Sequence, residues 1–122
     1  MPVRLRPAAP GVVDPARARF DRGEATPEDL RTLTKHLLAL LVASAPGGAV
    51  EVRIPPYAVA QCVEGARHTR GTPPAVVETD PETWIALATG QLSWAEAAAS
   101  ARVRASGERS DLSSLLPLVV ER

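Results

Sequence analysis

The side chains best suited to chemistry are Cys62, His68 and the basic cluster Arg67, His68 and Arg70. A thiol and an imidazole could form a nucleophile and its base. Cys62, however, stands among Ala58, Val59, Ala60 and Val63. Apolar surroundings raise a thiol's pKa and lower its reactivity, so a buried, inert cysteine is expected. Arginine forks hold carboxylate or phosphate bidentately, which makes the loop around Arg67, His68 and Arg70 a candidate mouth for an acidic headgroup. The same arginines could instead pair with Glu64, Glu78 or Asp80 and tie the loop down. His68 with Glu78 or Asp80 would be the acid and base of an enzyme, but no recognised catalytic motif surrounds them. His36 has Ala39 and Leu40 at i+3 and i+4 instead of a second ligand, and one cysteine cannot build a thiolate zinc module. No catalytic residue, metal or cofactor is therefore assigned.

Seven apolar residues, Val52, Ile54, Val59, Trp84, Leu87, Leu115 and Leu116, could line a ligand tunnel. They could equally form an ordinary core. An empty apolar cavity of roughly 300 Å³ would cost on the order of 7 kcal/mol, comparable to the whole stability of a domain. A tunnel would thus be filled, wet or collapsed.

The chain has 122 residues, 45% of them hydrophobic and 23% charged, which suits one globular domain with a modest core. Fourteen basic residues balance fourteen acidic ones, so no overall field draws nucleic acid or anionic lipid. The longest apolar run, Leu37 to Ala43, falls far short of the roughly 20 residues of a membrane span. Met1 to Val13 carries Arg4 and Arg6 but lacks the apolar stretch of a signal peptide. Together with the single cysteine this points to a reducing, cytoplasmic setting. Arginine far outnumbers lysine and asparagine is absent, a bias of GC-rich bacterial genomes.

Residues 1–13, rich in Pro, Ala and Arg without a period, are expected to form a flexible arm, and 14–122 a single domain. Asp14-Pro15 is an N-cap followed by proline at N1, which predicts a short helix that Gly23 closes. Thr26-Pro27-Glu28-Asp29 repeats the device. Leu30, Leu33, Leu37 and Leu41 then recur at helical spacing until Ala45, where Pro46-Gly47-Gly48 stops the helix. Val50, Val52 and Ile54 alternate with Glu51 and Arg53 as in a half-buried strand. Tyr57 to Val63 has only Gln61 as a polar interruption, which predicts a central strand covered on both faces, in a hairpin with the strand before it. A third strand is expected around Ala75 to Thr79.

Asp80-Pro81 opens a helix bearing Trp84, Ile85, Leu87 and Ala88 that Gly90 closes, and Ser93-Trp94-Ala95-Glu96 is a capping box. Trp94 beside it is expected to anchor that short helix by packing. Val103 and Ala105 alternate in a last strand, and Ser110 or Asp111 caps a terminal turn with Leu112, Leu115 and Leu116. This order reads as an α+β fold, a small sheet with helices packed mainly on one face.

The segment Thr79-Asp80-Pro81-Glu82-Thr83-Trp84-Ile85-Ala86-Leu87-Ala88-Thr89-Gly90-Gln91-Leu92-Ser93-Trp94-Ala95-Glu96-Ala97, followed by Arg102 to Gly107, resembles the sterol carrier protein type two superfamily. Val50 to Pro56, Gln61 to Gly65, Arg67 to Pro74 and Val77 to Pro81 resemble its small single-domain actinobacterial members. The resemblance covers most of residues 27–118. It implies a curved mixed sheet of about five strands, with helices over one face and an apolar tunnel between the layers for acyl chains or sterols. The type members close the tunnel with a longer terminal helix, whereas this chain has only Asp111 to Leu116 before Pro117, so the lid is absent or comes from a partner. The expected function is non-enzymatic binding or carriage of a hydrophobic small molecule such as a fatty-acyl lipid. The other candidate is an interaction or accessory module whose apolar groove receives a partner protein's helix, or a homodimer.

Overall fold

The computed structural model describes residues 5–65 and 75–118. Helix α1 spans Pro10–Asp21 and α2 Pro27–Ser44; strands β1, Val50–Ile54, β2, Ala58–Cys62, and β3, Ala75–Thr79, follow. Helices α3, Pro81–Thr89, and α4, Trp94–Ala99, lead to β4, Val103–Ser106, and a 3-10 turn at Ser113–Leu115. These elements build the expected α+β fold.

Local chemistry sets most of the boundaries. Thr26 caps α2 by accepting the Asp29 N–H at 3.1 Å, while the Asp29 carboxylate accepts the Thr26 N–H at 3.0 Å. Asp80 does the same work for α3 through the Thr83 N–H at 2.8 Å, and Gly90 ends that helix in the left-handed region at φ 84°. Ser93 and Glu96 form the capping box of α4.

The first helix begins earlier than the Asp14-Pro15 signal predicts. Ala9 is its N-cap and Pro10 its first residue, so residues 10–13 of the expected arm are helical and Pro15 lies inside the helix. Pro10 presets the helical φ as well as Pro15 does, and a proline early in a helix removes few backbone bonds.

The sheet has the order β2-β1-β3-β4. Strand β1 pairs antiparallel with β2, with Val52 opposite Ala60, and parallel with β3, with Val52 opposite Val77. Strand β4 closes the other side antiparallel to β3. The sheet is mixed and has four strands among the described residues, one fewer than expected. The expected hairpin is present, but β2 is an edge strand and not a central one. Its burial alternates: Ala60 and Cys62 point inward, while Val59 and Gln61 face solvent. The absence of charge in Tyr57 to Val63 resembled burial on both faces, but small and β-branched residues are also tolerated on an outer face.

The inner face carries Val50, Val52, Ile54, Cys62 and Val77, which form one cluster with Leu33, Leu38 and Leu41 of α2 and Trp84, Ile85 and Leu87 of α3. Each such fully buried side chain stabilises the fold by about 1.5–3 kcal/mol. The Trp84 indole Nε1–H is satisfied by the Thr34 carbonyl at 3.3 Å, which fixes α3 against α2. No helix among the described residues is long and apolar enough to cross a membrane.

Candidate functional site

The apolar residues expected to line a site separate into three groups. Val52, Ile54, Trp84 and Leu87 sit in the core, each no more than 2% exposed. Val59 is 56% exposed on the opposite face of the sheet, so it is turned away from the other six. Leu115 and Leu116 are half-buried and pack against the edge of the core. Arg67, His68 and Arg70 lie outside the described residues.

Leu115 also lines an open groove of about 390 Å³ at the C-terminal end of α2. Ala45 and Pro46, which end that helix, face Val63 and Glu64 beyond β2, and the segment from Arg109 to Leu115 completes the wall. The floor is apolar and continuous with the core, since Leu112 is 1% exposed and belongs to the core cluster. Ser44, Glu64, Arg109, Asp111 and Ser114 make the groove's margin polar.

The backbone there is held in an uncommon shape. Val63 has φ 71° and Arg109 φ 68°, two of the three left-handed non-glycine residues among those described. Each such residue costs of order 1–3 kcal/mol and persists only where its surroundings over-determine it, and such strain clusters at functional sites. Val63 is held by two backbone bonds: its N–H donates to the Ala45 carbonyl at 2.7 Å, and its carbonyl accepts the Ala49 N–H at 2.9 Å. Gly47 permits this approach, because a Cβ there would run into the Val63 carbonyl.

The titratable groups considered for chemistry have structural partners or burial of their own. The Asp111 carboxylate accepts the Ser113 backbone N–H at 2.9 Å, which holds its carboxyl below the usual range. Burial pushes the Cys62 thiol up to about 11, so it is protonated and a poor nucleophile at neutral pH. His36 accepts the Ala8 N–H on Nδ1 at 2.9 Å, and burial pushes its pKa down. Glu78 is paired with Arg104 across the strands at 3.4 Å, and Asp80 caps α3. Among the described residues no three His, Cys, Asp or Glu side chains gather into a metal site. The geometry offers an apolar floor and a polar edge, which is the chemistry of binding.

Val63, Arg109, Asp111 and Leu112 were not among the site residues expected from the sequence. The polar stretch Gly107 to Asp111 after the last strand was the available signal, but nothing in it shows that the chain returns to the end of α2.

A family model described as bacterial SCP ortholog matches residues 26–118, well over half of the chain. The chain belongs to that sterol-carrier-protein-like family. A search of curated proteins found no match. In this family member the matched region begins at Thr26, the cap of α2, and contains every strand of the described residues and the whole groove, while α1 lies outside it. The family suggests a lipid-binding or carrier domain.

Proposed function

We propose that this sterol-carrier-like chain is a non-enzymatic lipid carrier of the cytoplasm, taking a fatty-acyl or similar hydrophobic ligand through the groove at the end of α2. The carrying observation is the groove's floor: Leu112 and Leu115 join an open, roughly ligand-sized space to the core between sheet and helices. In this reading Leu115 and Leu116 take the place of a longer lid. A bound chain lies against them and reaches toward Val52, Ile54, Trp84 and Leu87. Arg67, His68 and Arg70 follow the groove residue Glu64 closely in sequence, which supports their assignment to the mouth.

Native and denaturing mass spectra of gently purified protein test this reading, with titration of an environment-sensitive fluorescent fatty acid. A small hydrophobic adduct lost on unfolding is expected, as is saturable binding that Leu115→Trp weakens by filling the groove. A clean apo mass with no binding overturns the carrier reading and leaves a partner protein's apolar helix as the candidate occupant.

A further inference from the structure

We infer that Arg109 selects the head of the ligand: its guanidinium receives the carboxylate of a long-chain acid at the groove's mouth, so the protein prefers fatty acids to the matching alcohols. This rests on the lipid-binding reading above. Arg109 lines the groove, and its backbone is held at φ 68° although it carries a full side chain. The arm lies directly on Gly65. A Cβ at Gly65 would stand 2.6 Å from Arg109 Nε and 2.9 Å from Cδ, so only glycine lets the arm rest there. A side chain already laid against the backbone loses less freedom on binding.

Among the described residues the guanidinium makes no hydrogen bond or ion pair, although Glu64 and Asp111 line the same groove. Asp111 Oδ1 accepts the Ser113 N–H, which turns that oxygen toward the backbone. An exposed guanidinium beside an apolar floor fits an amphiphile with an anionic head, because the fork can give a carboxylate two charge-assisted hydrogen bonds. Glu64 and Asp111 oppose that head by repulsion, which solvent weakens at an exposed edge. Replacing Glu64 by Gln should therefore tighten binding of the acid.

Lauric acid, dodecanol and dodecylamine share one chain and differ in the head, so their dissociation constants, measured by displacement of the fluorescent fatty acid, isolate the headgroup. The intact protein is expected to bind lauric acid up to about fivefold more tightly than dodecanol, the upper end of what a solvent-exposed ion pair contributes. Arg109→Ala should erase that ratio, and Arg109→Lys should keep part of it. Far-UV circular dichroism and Tm confirm that the variants fold. Equal affinity for acid and alcohol, a preference for the amine, or a preference that survives Arg109→Ala overturns the role of Arg109 and leaves lipid binding standing. Failure of all three to bind overturns both.

Discussion

Arg19 and Asp29 tie the first helix to the second by a two-pronged contact: Arg19 Nε and Nη2 donate to Asp29 Oδ2 and Oδ1 at 2.7 and 2.8 Å. The same carboxylate accepts the Thr26 N–H, so one buried acid both caps α2 and anchors α1, the helix outside the matched region. The hydrogen bond from Arg19, then that from the Thr26 backbone, holds the Asp29 carboxyl well below the usual carboxylate range. The folded state thus binds the proton less readily than the unfolded chain. The contribution is present above about pH 4 and is lost as the pH falls below it. Asp29→Asn should lower the urea midpoint at pH 7 and flatten the acid limb of the stability profile. Identical midpoints in the two proteins across that range would disprove the role.

The bond from the Ala8 N–H to His36 Nδ1 requires a neutral imidazole, since a protonated ring has no acceptor there. Burial lowers the His36 pKa from its ordinary value of 6.5, so protons favour the unfolded chain. The stabilising contribution is complete above about pH 6.5 and shrinks as the pH drops below it. Amide exchange at Ala8 should accelerate between pH 7.5 and pH 5.5, after correction for intrinsic rates, and His36→Gln should remove the pH dependence. Exchange that keeps the same protection at both pH values contradicts the latch.

Cys62 is fully buried and its thiol is pushed up to about 11 by that burial. Aromatic disulfide reagents at pH 8 should leave the native protein unmodified and label one thiol in denaturant. Rapid native labelling would show that the core opens at β2 far more readily than its packing implies.

The Asp80 carboxylate accepts both the Thr83 N–H at 2.8 Å and the Thr83 hydroxyl at 2.9 Å, and the helix it caps carries Trp84. Asp80→Ala should cost about 1 kcal/mol in urea denaturation followed by tryptophan fluorescence. A loss below about 0.3 kcal/mol, the range of neutral surface changes, would mean that core packing alone holds the start of α3.

Elements whose signals are local are legible in the chain alone. Thr26 with Asp29, Asp80 with Thr83, and Ser93 with Glu96 act over three residues, so these helix starts are legible wherever the chain folds. The alternation of Val50, Val52 and Ile54 likewise marks β1 and its inward face, and the pattern of Thr79 to Ala97 followed by Arg102 to Gly107 carries the family resemblance. The contact of Arg19 with Asp29 was hidden, because its partners lie on different helices and neither residue type announces the other. Only the tertiary structure put β2 at the edge and turned Val59 outward, since the position of a strand in a sheet depends on its neighbours and not on its own residues. The groove is the clearest case. It exists because Pro46, Val63, Arg109 and Leu115, distant in sequence, meet at the end of α2, and because backbone contacts hold Val63 at a positive φ that no β-branched residue favours alone.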